Sequence, residues 1–385
     1  MSKNVKTLIA KTFEEIAQGL ETGQFGGLPR IAVLGIGSEH GEANMLEGAL
    51  AAVSRGCVPV FIGNLTDPRI QAIPVANEAE AIAKMEQGLQ NGDFAGAVAM
   101  HYPFPIGTAT VGRVITPAAG RPMFIATTTG TADTDRVAGM VKNAIYGIIC
   151  AKSCGITRPT VGILNIDGAR QTERALKELA ANGYSIDFAA SDRADGGNIL
   201  RGNDILRATC DILVCDPLTG NVLMKLLSSF TTGGNYEALG FGYGPGIGAD
   251  ASELVMIVSR ASGAPVVANA IEYAAQLVRG DWKNVAKAEF AAAKAAGLDA
   301  LLRKIAEKSA PAEKTAIAPP PKEIVTGEIS GIEITDLEDA VQSLWKAEIY
   351  AESGMGCTGP VVLVHEQKLA KAREILVKDG WIGNE

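Results

Sequence analysis

A cysteine flanked by glycines is the residue of this sequence best suited to covalent chemistry. Cys357 lies in the segment Glu352–Pro360, whereas the other cysteines lie in apolar runs. Glycines on both sides expose the sulfur and let backbone N–H groups face it, a setting that lowers a thiol pKa and stabilises the oxyanion of a thioester. The segment predicts Cys357 as a nucleophile, with Gly356, Thr358 and Gly359 as an oxyanion loop. A structural thiol in a tight turn is the alternative.

Two other segments offer groups that bind anions. Ser259 and Arg260 follow an apolar run and present a hydroxyl and a guanidinium, which can hold a phosphate oxyanion through paired hydrogen bonds. Glycines at alternate positions allow consecutive N–H groups to form an anion-binding nest, and they are Gly242, Gly244, Gly246 and Gly248. The alternatives are a buried structural arginine for the first segment and a flexible lid or turn for the second.

A third polar cluster, Asp216–Asn221, separates a buried strand from an apolar helix. Free N–H groups at the start of a helix suit phosphate, so we expect Thr219, Gly220 and Asn221 to contribute to a phosphate and acyl pocket. Thr219 or Asn221 could also cap the helix, but capping accounts for only one of these residues.

The histidines and the first Gly-rich turn give weaker signals. Gly35-Ile36-Gly37 follows the first strand, but the next glycine is Gly41, so the spacing does not match a dinucleotide site and favours a tight turn near an anionic ligand. We interpret His40 as a polar turn residue and His101 as a pocket wall rather than a general acid. No role is assigned to His365.

The elements that must position these residues alternate short β-branched runs with helical stretches. The runs are apolar throughout, as expected for parallel strands covered by helices on both faces. They are Ile31–Ile36, Val58–Ile62, Ala95–Met100, Met123–Ala126, Thr160–Asn165, Ile186–Ala190, Asp211–Cys215 and Glu253–Ser259. This pattern predicts an α/β fold, a three-layer α/β/α sandwich with a mostly parallel sheet whose polar turns gather at the carboxyl edge.

Composition shifts predict two domains and a linker. Residues 1–308 form the large domain, which ends in one long helix, Trp282–Lys308. Residues 309–331, rich in Pro, Ala and Lys, cannot continue that helix and have little to bury, so they are expected to be a linker. Residues 332–385 form a small α/β module that carries Cys357, with a helix near 336–350, a Gly-rich loop and a strand Val361–Val364.

The overall composition excludes several classes of partner. The chain has 385 residues, a formal net charge of −8 and a pI near 5.2, so it has no basic field to attract nucleic acid. The N-terminal segment Met1–Thr22 lacks the apolar core of a signal peptide, and no run approaches the roughly 18 apolar residues of a membrane span. We therefore expect a cytoplasmic protein with reduced cysteines, no metal site and no membrane contact.

Two motifs resemble known enzyme families. The segment Val214–Lys225, Val-Cys-Asp-Pro-Leu-Thr-Gly-Asn-Val-Leu-Met-Lys, closely resembles the phosphate acyltransferases of bacterial phospholipid synthesis, and the likeness extends over most of residues 30–280. Those enzymes make acyl phosphate from acyl carrier protein. The segment Ser259–Ile271 looks like the part of phosphotransacetylases that carries a catalytic Ser-Arg pair. This resemblance implies that Ser259 and Arg260 are catalytic and that Arg260 binds phosphate.

The combination of this domain with the segment Ala351–Pro360 resembles the alpha-subunit family of component C of the glycine/sarcosine/betaine reductase complexes, over essentially the whole chain. The resemblance implies an anaerobic, cytoplasmic, amino-acid-fermenting system with a β-ketoacyl-synthase-like companion subunit. In that family, component C receives a carboxymethyl group from the selenocysteine of selenoprotein A, forms an acetyl thioester and releases acetyl phosphate.

These signals combine into one hypothesis. The Cys357 thiolate accepts the acetyl group, and inorganic phosphate, held by Arg260 and the glycines of 242–248, cleaves the thioester while Thr219 and Asn221 complete the pocket. Phosphate is then a substrate and no cofactor is needed. One alternative is a free-standing phosphate acyltransferase that uses acyl carrier protein or coenzyme A, with a structural Cys357. The other is a non-catalytic scaffold for a companion subunit that bears the essential thiol.

Overall fold

A computed structural model of the chain describes residues 12–13, 27–192, 197–309, 317–330, 332, 336–356 and 359–382. The chain divides into two compact units, Met1–Ser309 and Ala310–Glu385. Cys357 and Thr358 lie outside the described residues, as does most of the N-terminal segment 1–26.

The first unit alternates strands and helices along most of its length. Its strands are β1 (Arg30–Leu34), β2 (Val58–Ile62), β3 (Gln71–Ile73), β4 (Gly96–Ala99), β5 (Thr108–Ile115), β6 (Pro122–Thr131), β7 (Thr160–Leu164), β8 (Asp187–Phe188), β9 (Ile199–Leu200), β10 (Ile212–Val214), β11 (Gly244–Ile247) and β12 (Val255–Ile257). Its helices are α1 (Glu42–Ala52), α2 (Glu78–Gln90), α3 (Arg136–Ser153), α4 (Ala169–Ala181), α5 (Gly202–Arg207), α6 (Pro217–Ser229), α7 (Ala264–Arg279), α8 (Trp282–Ala295) and α9 (Leu298–Ser309). Each of the eight predicted apolar runs overlaps a strand.

One mixed, mostly parallel sheet forms from two parallel halves. The strand order is β3-β2-β1-β4-β12-β11-β5-β6-β10-β7-β8, with β9 beside β7. The halves β3 to β12 and β6 to β8 are each parallel, but β12, β11, β5 and β6 pair antiparallel in succession. Three reversals leave the two halves pointing in opposite directions. Ligands of α/β sheets bind outside the carboxyl ends of the strands, so the turns that follow the strands near this junction are the place to look for a site.

Both faces of the sheet are buried, as the predicted α/β/α fold requires. Along β1, Ile31 and Val33 pack into one apolar cluster, whereas Ala32 and Leu34 pack into another on the opposite face. Successive side chains of a strand point to opposite faces, so a strand covered on both sides must be apolar throughout. Among the residues that the structure describes, no helix is both long and apolar enough to cross a bilayer.

The predicted long helix at the end of the first unit is wrong. Trp282–Lys308 is divided into α8 and α9, because the chain turns at Gly297, where the backbone φ is +95°. Residues other than glycine rarely adopt this left-handed backbone conformation, so Gly297 ends the first helix and the second begins after it.

The glycines of 242–248 do not form the predicted nest. Residues 244–247 are the buried strand β11, paired with β12 on one edge and β5 on the other, so its backbone lies within the sheet. A Cβ at Gly244 would stand 1.7 Å from the carbonyl oxygen of Val111, and one at Gly246 would stand 2.3 Å from the ring of Phe104. The glycines therefore allow close packing at the centre of the sheet.

Gly244→Ala is expected to destabilise the first unit by about 3 kcal/mol, because overpacking against Val111 adds to a strained φ of +87°. Gly120→Ala is the matched control, since Gly120 has a φ of +63° but no atom within 4 Å of an added Cβ. It should lose only about 1 kcal/mol. Urea unfolding of both variants measures the difference, and equal losses would mean that packing at Gly244 is unimportant.

The second unit has its own small core. Strands β13 (Gly327–Ser330), β14 (Ala351–Gly356) and β15 (Gly359–Val364) form an antiparallel sheet in the order β13-β15-β14. Helices α10 (Leu337–Lys346) and α11 (Leu369–Lys378) contribute Leu344 and Leu376 to a cluster with Ile329 and Val362.

Two features of this unit differ from the sequence prediction. Strand β13 falls within the range 309–331 that was expected to be a linker, where its alternating buried and exposed residues pair with β15. Gly356 and Gly359, expected in an oxyanion loop, are paired residues of β14 and β15. Antiparallel pairing thus extends along the Gly-rich segment as far as Gly356.

Candidate functional site

A cleft of about 560 Å³ lies at the junction of the two sheet halves. Residues 100–104 follow β4, Ser259 and Arg260 follow β12, and both groups line it from one half of the sheet. Thr129 and Gly130 at the end of β6 line it from the other half, and Asn221, Lys225 and Tyr243 complete the wall. The turns after β4 and β12 and the last residues of β6 therefore meet at one cavity, in the size range of small-molecule sites.

Asp216 positions the helix that lines the cleft. Its carboxylate accepts hydrogen bonds from the backbone N–H groups of Leu218 and Thr219, both at 3.0 Å, and Pro217 occupies the first turn. The Thr219 hydroxyl donates to the same carboxylate at 2.7 Å. Asp216 is thus the N-cap of α6, rather than Thr219 or Asn221, because an acceptor one residue before the helix reaches its first free N–H groups.

Helix α6 packs against β6 without an intervening side chain. A Cβ at Gly220 would stand 1.7 Å from the carbonyl oxygen of Thr127, so only glycine allows this approach. The next residue, Asn221, donates from Nδ2 to the carbonyl oxygen of Thr128 at 3.2 Å and lines the cleft. Gly220 therefore serves helix packing, whereas Asn221 presents its amide at the expected pocket.

The turn after β12 is held by its own hydroxyl groups. The Ser259 N–H donates to Ser262 Oγ at 3.0 Å, and the Ala261 N–H donates to Ser259 Oγ at 3.1 Å. Arg260 is half exposed, and its guanidinium makes two long contacts with described residues, 3.4 Å to the Gly37 carbonyl and 3.3 Å to Glu78 Oε1. A loosely held guanidinium beside an open cleft can exchange these contacts for those of an oxyanion.

Sequence reasoning missed three residues that organise the cleft: Lys225, Glu237 and Tyr243. Lys225 Nζ lies 3.2 Å from Ser259 Oγ, 3.0 Å from Tyr243 Oη and 3.3 Å from Glu237 Oε1. The Tyr243 hydroxyl donates to Glu237 at 2.9 Å. Burial raises the pKa of Tyr243, and the nearby Glu237 carboxylate raises it further, so the phenol keeps its proton.

A usable signal for Lys225 existed in the sequence. It is the only charged residue between Asp216 and Glu237, and it lies four positions after Asn221, so both side chains occupy one face of α6. Its ammonium is paired with a carboxylate and has no lone pair to accept the Ser259 proton. Lys225 therefore acts here as a cation and hydrogen-bond donor rather than as a general base.

The cleft has the groups that bind an anion. Lys225 and Arg260 contribute two cations to its lining, together with the amide of Asn221, and Lys225 lies beside the Ser259 hydroxyl. His101 also lines the cleft, in agreement with its interpretation as a pocket wall. Cations and fixed hydrogen-bond donors in a concave site stabilise phosphate and the negative charge that develops on a carbonyl oxygen under attack.

The other histidines have structural contacts. His40 Nε2 lies 3.2 Å from the carbonyl oxygen of Ala261, and its ring packs edge-on against Tyr236, as expected for a polar turn residue. In the second unit, His365 Nδ1 accepts a hydrogen bond from the Gln367 N–H at 3.2 Å and caps the short 3₁₀ helix that follows.

The five cysteines that the structure describes are unsuited to nucleophilic chemistry. Burial raises the pKa of Cys57 to about 11 and the pKa values of Cys154 and Cys210 to about 12. Burial raises the pKa values of Cys150 and Cys215 further still. These thiols stay protonated at neutral pH, and the thiolate is the reactive form. The predicted nucleophile, Cys357, lies outside the described residues.

Comparison with known proteins gives a consistent set of relatives. Residues 29–363 match the family model described as "Fatty acid synthesis protein". The chain is 54% identical over 382 residues to the glycine/sarcosine/betaine reductase complex component C subunit alpha of Peptoclostridium acidaminophilum, covering 98% of this chain and 99% of that protein. It is 25% identical over 256 residues to the phosphate acyltransferase of Prochlorococcus marinus subsp. pastoris, covering 52% and 53% of the two chains. A branched-chain phosphotransacylase from Enterococcus faecalis V583 is a solved structure with 16% identity and a TM-score of 0.43, covering 64% of this chain and 99% of that one.

Proposed function

The chain belongs to the Fatty acid synthesis protein family and, within it, to the alpha subunits of component C of the glycine/sarcosine/betaine reductase complex, and from this we propose that it forms acetyl phosphate from an acetyl thioester. The relatives named phosphate acyltransferase support the general class, transfer of an acyl group to phosphate. The acetyl group derives from carboxymethylated selenoprotein A, and Cys357 carries it as a thioester.

The observation that carries this proposal is the presence of Lys225, Ser259 and Arg260 in the lining of one cleft, with Lys225 Nζ 3.2 Å from Ser259 Oγ. In the proposed reaction, a phosphate oxygen attacks the thioester carbonyl carbon, a C–O bond forms, the C–S bond breaks, and the thiolate of Cys357 leaves and is reprotonated. Arg260 holds the phosphate, and Lys225 and Ser259 stabilise the oxyanion through hydrogen bonds. The reaction needs no redox cofactor.

We further propose that the chain works with other subunits. The name of the 54% identical relative describes a subunit of a complex, which supports a companion subunit. We expect this companion to resemble β-ketoacyl synthases and selenoprotein A to be the donor. Thr219 and the glycines of 242–248 have no part in this version of the site, because the first is bound to Asp216 and the others lie in or beside β11.

A direct assay separates the proposed function from its two alternatives. The purified chain is supplied with an acetyl thioester and ³²P-labelled phosphate, first alone and then with its companion, and labelled acetyl phosphate is measured. Equal turnover of thioesters of acyl carrier protein or coenzyme A, with no acetyl group on the chain, would indicate a free-standing acyltransferase. Product that appears only with the companion, together with alkylation of the companion's thiol alone, would indicate a scaffold.

A further inference from the structure

A buried carboxylate stands behind the cleft and takes no direct part in the proposed phosphorolysis. The Glu237 side chain is only 4% exposed, and both of its carboxylate oxygens have hydrogen-bond partners. Oε1 accepts from the Tyr243 hydroxyl and pairs with Lys225, and Oε2 accepts from Ser262 Oγ at 2.7 Å. Burying a charge is costly unless it is fully paired, so the buried carboxylate must be balanced by the groups that it binds, Lys225, Tyr243 and Ser262.

The backbone ties Glu237 to the turn that carries Ser259. The Glu237 N–H donates to the Ala261 carbonyl at 3.0 Å, and the Gly263 N–H donates to the Glu237 carbonyl at 2.8 Å. Ser262, which binds the carboxylate, also accepts from the Ser259 N–H. The carboxylate and the Ser259 turn therefore form one rigid part, whereas Lys225 reaches them from α6 on a flexible, half-exposed side chain.

The contacts of the ammonium depend on Glu237. A lysine ammonium has three N–H donors, and those of Lys225 face Glu237, Tyr243 and Ser259. The Tyr243 hydroxyl is itself oriented by the same carboxylate oxygen. Removal of the carboxylate charge leaves the ammonium without its ionic partner and gives the Tyr243 hydroxyl a weaker, neutral acceptor.

We propose that Glu237 is a positioning residue that orients Lys225 toward the Ser259 hydroxyl at the cleft, an inference that rests on the proposed role of Lys225 in phosphorolysis. The carboxylate has two opposite effects on the reaction. It holds the ammonium where charge develops in the transition state, but its negative charge also weakens the attraction of Lys225 for the phosphate dianion. The carboxylate thereby fixes the position of the Lys225 ammonium and lowers the affinity of the site for phosphate.

Glu237→Gln, which keeps the shape but removes the charge, tests this division of effects. We expect kcat for acetyl phosphate formation to fall about 10- to 100-fold, because the donor is no longer held in place. The KM for phosphate should stay unchanged or decrease, because Lys225 is no longer offset by a carboxylate. A rise in the phosphate KM with an unchanged kcat would overturn the proposal.

A double-mutant cycle with Lys225→Met asks whether Glu237 acts through Lys225. If it does, adding Glu237→Gln to Lys225→Met lowers kcat no further, whereas independent effects would multiply and refute the inference. Glu289→Gln is a matched control, since Glu289 binds Lys152 at 2.6 Å and Tyr184 at 2.9 Å, a second Glu-Lys-Tyr group outside the cleft. This control should lose stability but keep the activity of its folded fraction.

Phosphate binding to the full chain, measured by calorimetry without thioester, separates failure of the inference from failure of the proposed function. A wild-type chain that releases no acetyl phosphate even with its companion contradicts the proposed function, but the binding result still decides the role of Glu237. Lys225→Met should weaken phosphate binding, and Glu237→Gln should bind phosphate at least as tightly as wild type. An equal loss in both variants would show that the carboxylate serves phosphate binding and would overturn the proposal.

Discussion

Cys357→Ala is expected to eliminate the acetyl-labelled peptide and to lower acetyl phosphate formation by about 10³-fold or more. The proposed route divides acyl transfer into two steps joined by a covalent intermediate, so removing the sulfur removes both steps. The measurement is acetyl phosphate release by the chain with its partners, with mass spectrometry of the peptide that spans residues 351–364. A small residual rate is compatible with phosphate and acyl binding in the cleft alone.

The described cysteines supply an internal control for this experiment. Cys154 is partly exposed, but burial raises its pKa to about 12, so Cys154→Ala should leave both the label and the rate unchanged. Alkylation near pH 8 should modify Cys357 well before the five raised-pKa thiols, because the rate follows the thiolate fraction. Wild-type turnover by the Cys357→Ala variant, with no acetyl group on the chain, would contradict the carrier role and support a free-standing acyltransferase.

Arg260→Ala should lower kcat/KM for phosphate by about 10²- to 10³-fold, because it removes a charged donor from the site where phosphate binds and oxyanion charge develops. Arg260→Lys should recover only part of this loss, since an ammonium cannot make the paired contacts of a planar guanidinium. The measurement is the phosphate dependence of acetyl phosphate release at saturating thioester.

Arg158→Ala is the matched control for the arginine substitution. Arg158 also contacts a carboxylate, with Nε 2.9 Å from Asp187, but its side chain is 79% exposed and lies outside the cleft. Such exposed pairs contribute little to stability, so this variant should retain wild-type kinetics. Equal kinetics for Arg260→Ala and wild type would exclude Arg260 as the phosphate ligand and leave Lys225 as the only proposed cation of the site.

Local sequence patterns were sufficient to predict most of the first unit. Each of the eight β-branched runs overlaps a strand, because continuous burial on two faces demands apolar residues at every position. Strands β3, β5, β9 and β11 were not predicted, and β5 and β11 are the longest of these four. Residues 108–115 carry Thr110 and Arg113 in the interior, and residues 244–247 are half glycine, so neither has the composition of a buried strand. Their pairing partners, which lie far away in the chain, make them strands.

The structure brings only part of the predicted site into one place, for reasons that can be traced to distance in the chain. Ser259, Arg260 and Asn221 line one cleft, because each follows or lies near the carboxyl end of a strand. The glycines of 242–248 were misassigned because alternate glycines serve equally well in a nest and in a crowded sheet. Only neighbours such as Val111 and Phe104 distinguish these two uses.

The sequence by itself determined the α/β class, the polar turns after the strands and the contrast between Cys357 and the apolar surroundings of the other cysteines. Each of these features depends on residues that are close in the sequence, within about one helix or strand. The tertiary structure alone decided that Lys225 meets both Glu237 and Ser259, and that two parallel half-sheets of opposite direction join at one cleft. Such contacts depend on three-dimensional pairing between distant segments, and burial of Glu237 makes that pairing obligatory, because a carboxylate removed from water must find its donors.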